Sequence, residues 1–136
     1  NCTVDMISAD MYENILLKYD IKLAESFNSF GVHHCGQSTQ RHIKAYAKIP
    51  NLTFVEAGYG SDLDAVVNAL PENVAINARY GPVRLQTVKK EDLELDLKDI
   101  YSKIKNRKCS ISCVGIDGDI EDARVADFLS ICASLQ

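Results

Sequence analysis

The segment 29–38, SFGVHHCGQS, contains two imidazoles and a thiol in consecutive positions. If this segment continues a strand, side-chain alternation puts His33 and Cys35 on one face and His34 on the other. An imidazole and a thiolate on one face can bind the same metal ion, and zinc accepts both kinds of ligand. The segment therefore predicts a zinc site built on His33 and Cys35, with His34 packed toward a helix or facing solvent.

A third ligand of this ion has to come from another strand. Cys113 lies near the end of the last predicted strand, at the level of the other strand ends. Cys109 precedes it by four residues and so lies ~13 Å nearer the opposite end of the strand, at ~3.3 Å per residue. Cys113 is therefore the predicted ligand. Plain core packing is the alternative, because cysteine is among the most buried residue types.

The elements that must position these residues follow from the apolar periodicity. A helix over residues 8–27 has Ser8 as its N-cap, and its apolar residues recur at steps of four: Met11, Ile15, Tyr19 and Leu23. The other helices are predicted at residues 37–49, 61–70, 89–107 and 119–135, and the strands at residues 30–35, 52–58, 73–81 and 109–116. Ser61 is the expected N-cap of the third helix.

This order is a helix followed by four strand–helix units, which is typical of parallel strands joined by helical crossovers. Two architectures fit the order: an open doubly wound sheet, or part of a (β/α)8 barrel. A complete barrel usually needs ~250 residues, whereas this chain has 136. We therefore expect a single α/β domain over residues 1–136, with four parallel strands alternating with helices.

In such folds the chemistry is located at the carboxyl ends of the strands. Each predicted strand carries polar or thiol side chains near that end: His33 and Cys35, Glu56, Asn77 and Arg79, and Cys113. The remaining candidates have no partner in the pattern. His42 is expected to be an exposed helix residue, and Cys2 and Cys132 are expected to be packing residues.

Composition and charge exclude several classes of protein. The formal net charge is −4 and the isoelectric point is near 5.3, so nothing attracts nucleic acid or an anionic membrane surface. The apolar runs are too short for a transmembrane helix, and residues 1–10 lack the basic and apolar regions of a signal peptide. Five irregularly spaced cysteines indicate a reducing compartment, and hence the cytoplasm.

Four stretches of the chain resemble the C-terminal half of the uroporphyrinogen decarboxylase superfamily. They are ISADMYENILLKYDIKLAESFNSFGVHHCG, LTFVEAG, DLDAVVNALPENVAINARYGPV and CSISCVGI. They look most similar to the zinc-dependent, corrinoid-linked methyltransferases that include the methylcobalamin:coenzyme M methyltransferases. The resemblance implies that this chain is the C-terminal half of a longer TIM (β/α)8 barrel.

The same resemblance implies a His-x-Cys-xn-Cys zinc motif at His33, Cys35 and Cys113. Glu56 matches a ligand of the more distant cobalamin-independent methionine synthases, which implies a catalytic fourth ligand that a substrate thiol displaces. The implied reaction moves a methyl group between a methylcorrinoid, carried by a separate protein, and a small thiol that zinc holds as a thiolate.

The chain departs from the family pattern at three places. Residues 17–19 read Leu-Lys-Tyr for Leu-Pro-Tyr, residues 78–79 read Ala-Arg for Gly-Asn, and VGIDGDIED follows Cys113 in place of a Thr-Pro pair. A guanidinium suits a carboxylate, sulfonate or phosphate, so Arg79 and its neighbour Asn77 are expected to contact the substrate. A surface or ion-paired Arg79 is the alternative.

Two other functions stay open at this point. One is a metal-free decarboxylase of porphyrin biosynthesis, although the arginines at 41, 79, 84, 107 and 124 are too scattered for a tetracarboxylate. The other is a half-domain without catalysis. Because four strands cannot close a barrel, the isolated chain is expected to be weakly active and either to dimerise through its strand edges or to form an open sheet covered by helices on both faces. The uncovered inner face is expected to carry Val32, Phe54 or Val55, Val74 or Ala75, and Ile111.

Overall fold

The computed structural model describes residues 3–135 of the protein. Its strands are β1 (Phe30–Val32), β2 (Leu52–Ala57), β3 (Ala75–Tyr80) and β4 (Cys109–Cys113). Its α-helices are α1 (Ala9–Met11), α2 (Leu17–Ala24), α3 (Ile43–Tyr46), α4 (Leu63–Ala69), α5 (Pro82–Thr87), α6 (Lys90–Ile104) and α7 (Asp122–Ser134). A 3-10 turn covers Val4–Met6, and a π-helical segment, Tyr12–Leu16, joins α1 to α2. No helix within residues 3–135 has both the length and the apolar character required to cross a membrane.

The four strands form one parallel sheet in the order β1-β2-β3-β4. Each connection between neighbouring strands contains at least one helix, as parallel pairing requires. The predicted α/β class, with four parallel strands alternating with helices, is confirmed. The arrangement is consistent with half of a (β/α)8 barrel, and β1 and β4 are the outer strands of the sheet.

The helices form one layer on one face of the sheet, in which α3 contacts α4, α4 contacts α6, and α6 contacts α7. One hydrophobic core lies beneath α2, α3 and α4 and includes Val32, Val55 and Ile76. A second core lies beneath α5, α6 and α7 and includes Tyr80 from β3. Helices on both faces, one of the two arrangements expected for the isolated chain, are therefore not observed in the described residues.

The other face of the sheet is polar toward the carboxyl ends of the strands, contrary to expectation. Val32 belongs to the first core, and Ile111 packs against both cores beneath the helices. Val55 and Val74 also belong to the first core. Of the alternatives expected for the open face, Phe54 lies there beside Gly31, and Ala75 is its register partner on β3. The physical reason is strict alternation along a strand: once His33 faces the open side, its neighbour Val32 must face the helices.

The N-terminal helical region begins as predicted but buries a different face. Ser8 caps it, since Ser8 Oγ accepts a hydrogen bond from Met11 N at 3.1 Å. The predicted apolar row is exposed: Met11, Ile15, Tyr19 and Leu23. Tyr12, Leu17 and Ala24 are buried instead. The step of five residues from Tyr12 to Leu17 spans the π-helical segment, which adds a residue to one turn and rotates the helix that follows.

The predicted helix 37–49 is much shorter than expected, because its first residues bond elsewhere. Ser38 contacts the side chain of Gln40 instead of capping a helix. Thr39 N donates to Ser61 Oγ at 3.1 Å, which ties this segment to the loop after β2. His42 was expected to be exposed, but it is fully buried. Residues 39–42 form a turn that directs the His42 ring toward Tyr12, and the two ring centroids lie 5.3 Å apart.

Helix α5 was not predicted at all. Gly81 and Pro82 were interpreted only as the end of a strand, yet Pro82 occupies the first turn of this helix. Proline is favourable there because its missing N–H has no intrahelical partner.

Cys132 packs against the second core as predicted, whereas Cys2 lies outside the described residues.

Helix α4 is capped by Asp62 rather than by the predicted Ser61. Asp62 Oδ1 accepts a hydrogen bond from Ala65 N at 3.1 Å. Replacing Asp62 with alanine is expected to lower the free energy of unfolding by about 1 kcal/mol, measured by urea denaturation. Asp64→Ala is the matched control, because Asp64 lies in the same helical turn and its side chain is not the cap. Equal losses in both variants would show that helix-terminal charge, and not the cap bond, is responsible.

Candidate functional site

His33 and Cys35 follow the last paired residue of β1 and extend on the same side of the sheet. His33 Nε2 and Cys35 Sγ lie 2.9 Å apart. Cys35 is exposed, and half of the His33 side chain is accessible to solvent. The prediction that these two side chains share a face is confirmed, and together they form an open pair of nitrogen and sulfur donors.

Glu56 lies beside this pair because of the register between β1 and β2. Val32 pairs with Val55, so the next residue of each strand, His33 and Glu56, also lie side by side. Glu56 Oε2 is 2.6 Å from His33 Nδ1, and Glu56 is only 7% exposed. The two ring nitrogens of His33 therefore face different groups, a carboxylate on one side and a thiol on the other.

Arg79 on β3 completes the contacts around Glu56. Its Nε lies 3.1 Å from Glu56 Oε1, and Arg79 is 7% exposed. The two groups meet as an ion pair, without the geometry of a hydrogen bond. Arg79 Nη2 also donates to the carbonyl oxygens of Cys35, at 3.3 Å, and of Gly36. Of the two roles considered for Arg79, the structure shows the ion pair, and substrate contact stays a prediction.

Asn77 lies on the same open face as Glu56 and Arg79, two strands away from His33. Its side-chain nitrogen donates to Ser112 Oγ at 3.0 Å, and its oxygen accepts from Ser110 Oγ at 3.1 Å. These bonds extend the polar surface across to β4. They also engage both the nitrogen and the oxygen of the Asn77 amide. The contact of Asn77 with substrate stays a prediction.

The structure does not bring Cys113 to the other predicted ligands. Cys113 pairs in register with Tyr80 and packs with it in the second core, on the helix-covered face. Burial raises the pKa of the Cys113 thiol above its ordinary value. Cys109 pairs with Ile76 on that same face. Within residues 3–135, no group of three histidine, cysteine or acidic side chains is placed to hold a metal ion.

The positions of the His33, Cys35 and Glu56 donor atoms show which of them could bind one zinc ion. His33 Nε2 and Cys35 Sγ fit, since they are close together, open to solvent and of the chemical types that zinc binds. Glu56 approaches the opposite ring nitrogen, so it supports the imidazole rather than facing the same point as Cys35. The structure thus provides two donors for an ion and a carboxylate behind one of them.

A second group of titratable residues lies on the helix side of β1, which is one of the two positions predicted for His34. His34 Nδ1 is 2.9 Å from the Tyr46 hydroxyl, and His34 Nε2 is 3.3 Å from Asp5 Oδ1. His42 lies beside His34, and among residues 3–135 neither of its ring nitrogens has a hydrogen-bond partner of normal geometry. Burial lowers the pKa of both histidines, and Asp5 opposes this shift in part. The sequence carried no signal for His42, because its burial depends on the N-terminal segment.

A cavity of about 520 Å³ opens at the carboxyl end of β3. Its lining residues include Arg79, Tyr59, Pro82, Val83 and Ile100. This volume is in the range of small-molecule sites, which are mostly apolar with a few polar groups. Arg79 lines this cavity and also pairs with Glu56, whereas His33, Cys35 and Glu56 are not among the lining residues. Sequence reasoning missed the cavity, since four of its eleven lining residues come from α5.

Comparison of the chain with protein-family models, with curated proteins and with solved structures found no match. The functional interpretation therefore rests on the motif residues and on their geometry.

Proposed function

We propose that His33 and Cys35 bind a zinc ion, and that the protein takes part in methyl transfer between a corrinoid and a small thiol. The observation that carries this proposal is the 2.9 Å approach of His33 Nε2 to Cys35 Sγ at the open carboxyl end of a parallel sheet. The resemblance of this motif to the corrinoid-linked methyltransferases supports it. The corrinoid would be carried by a separate protein.

Zinc bound at this pair would lower the pKa of a coordinated thiol, which is ordinarily near ~8.5, and hold the thiolate at neutral pH. The protein's own residues have separate tasks. Glu56 orients the His33 ring, and Arg79 holds the loop that carries Cys35. Arg79 and Asn77 would meet the polar end of a substrate, with its apolar part in the cavity that Arg79 lines. A cytoplasmic location would keep the thiols reduced.

Several surfaces support a larger assembly around this site. Within residues 3–135, strands β1 and β4 are outer strands, the polar face of the sheet has no helix layer, and the row Met11, Ile15, Tyr19 and Leu23 is exposed. Eight strands are needed for a barrel interior to fill. We propose that further strands, from the same gene product or from a second copy in a homodimer, complete the site, and that residues 1–136 alone turn over slowly.

One observation favours a second candidate function, thiol chemistry without metal. The order Cys35, His33, Glu56 has the arrangement of a nucleophile, a base and a group that orients the base. In that case the exposed Cys35 thiol itself would be the nucleophile. A metal-free decarboxylase and a non-catalytic half-domain make no use of this pair.

Metal analysis of the chain purified under reducing conditions tests the proposal. We expect about one zinc per chain, lost in His33→Ala and Cys35→Ser and retained in the control Cys109→Ser. Cys113→Ser distinguishes two arrangements: loss of zinc would mean that Cys113 turns to the open face as the motif predicts, and retention would mean that it stays in the core.

Absence of zinc in the wild-type chain, both as purified and after reconstitution, would exclude zinc-dependent methyl transfer for residues 1–136. Rapid alkylation of Cys35 in that metal-free protein, slowed by His33→Ala, would then support the second candidate.

A further inference from the structure

We propose that Glu56 does not bind the metal but holds the His33 imidazole in place, and that Arg79 is the positioning residue that fixes both Glu56 and the Cys35 loop. This inference rests on the proposed metal site and reassigns Glu56, which the resemblance implies to be a ligand.

The contact between Glu56 and His33 determines which ring nitrogen is available. A carboxylate accepts hydrogen bonds, so at 2.6 Å from Glu56 Oε2 the Nδ1 of His33 carries the proton. In a neutral imidazole the lone pair is then on Nε2, which faces Cys35 Sγ. A carboxylate behind a ligating histidine commonly sets the tautomer and ring orientation in this way.

Glu56 is held away from the metal position from two sides. Its Oε2 contacts His33 and its Oε1 lies 3.1 Å from Arg79 Nε. Both members of this ion pair are 7% exposed. Moving Glu56 around the imidazole to the Cys35 side would separate two buried charges, which is strongly unfavourable. The ion pair therefore keeps Glu56 behind the ring.

Arg79 couples this contact to the position of Cys35. The same guanidinium that pairs with Glu56 donates to the carbonyl oxygens of Cys35 and Gly36. The loop has little space to shift, since a Cβ on Gly36 would lie 1.9 Å from Asp5 Oδ2, and one on Gly58 would lie 2.3 Å from the Gly36 carbonyl oxygen. One side chain thus sets the distance between the nitrogen and sulfur donors.

Cobalt(II) and zinc(II) titrations of the full chain test these roles. Glu56→Gln keeps the size of the side chain and is expected to weaken binding of both ions by about 10- to 100-fold, while the visible spectrum of the cobalt-loaded protein stays unchanged. Arg79→Lys cannot make the ion pair and both carbonyl contacts at once, so a loss of about 10-fold is expected. Arg84→Lys is the matched control, because Arg84 lines the same cavity but pairs with Asp96.

A changed cobalt spectrum in Glu56→Gln would show that Glu56 is a ligand and overturn the inference. Wild-type affinity in a folded Arg79→Lys protein would remove the positioning role of Arg79. Nitrogen NMR of His33 at alkaline pH, without any metal, gives an independent result: we expect the Nδ1–H tautomer in the wild type and a mixture in Glu56→Gln. If the wild type binds no metal, the proposed function fails, and this tautomer still decides whether Glu56 holds the His33 ring.

Discussion

Replacing Glu56 with alanine is expected to lower the free energy of unfolding by about 3 to 5 kcal/mol, the typical loss when one partner of a buried ion pair is removed. Arg79 is 7% exposed, so the variant leaves its guanidinium buried without the opposing charge 3.1 Å away. The Nδ1 atom of His33 loses its partner as well. Urea denaturation in the presence of a chelator measures this loss without any contribution from bound metal.

The double variant Glu56→Leu/Arg79→Met tests whether the unpaired charge of Arg79 causes this loss of stability. Apolar residues of similar size remove both charges together, so we expect most of the lost stability to return. Glu13→Ala is a control, because Glu13 pairs with Lys48 at the surface and such pairs contribute less than about 1 kcal/mol. A loss of less than 1 kcal/mol in Glu56→Ala would show that Arg79 does not depend on this carboxylate.

The protein is expected to lose stability as the pH falls below about 6.5, the ordinary pKa of histidine. His34 and His42 are fully buried, and burial lowers the pKa of each in the folded state. In this range the unfolded chain binds more protons than the folded one, so stability rises with pH and is complete above about pH 6.5. Each group contributes at most about 1.4 kcal/mol per pH unit.

The charged groups around these rings act in both directions. Asp5 raises the pKa of His34 and of His42. Arg41 lowers the pKa of His42, and His42 and Arg79 lower the pKa of His34. Burial is the largest effect in both cases. The decrease in stability should therefore begin near pH 6.5 and steepen toward pH 5.

His42→Leu isolates one of the two groups. In the described part of the chain neither nitrogen of His42 has a hydrogen-bond partner of normal geometry, so leucine should preserve stability at pH 8 and reduce the slope below pH 6.5 by about half. Urea denaturation at half-unit intervals between pH 5 and 8 measures both quantities. A slope unchanged by His42→Leu would assign the whole effect to His34 and the carboxylates.

The alternation of strands and helices could be predicted because it depends on local sequence. The apolar periods, Ser8 as a cap and the alternation of side chains along β1 need only neighbouring residues. For the same reason, the shared face of His33 and Cys35 and the opposite face of His34 were evident before the fold. Helices α3 and α5 were less predictable, since Thr39 bonds to the distant Ser61 and Pro82 serves as a helix start.

The composition of the site depended on contacts between distant parts of the chain. The pairing of Val32 with Val55 places Glu56 behind His33, and the pairing of Tyr80 with Cys113 puts that thiol in the helix-covered core. His42 is buried because the segment containing Tyr12 packs over it. The alternation of strands with helices and the His33–Cys35 pair were thus predictable from local sequence, although helix α5 was not. The carboxylate, arginine and thiol that accompany the pair were not predictable, because strand register and helix docking are set by packing between residues far apart in the chain.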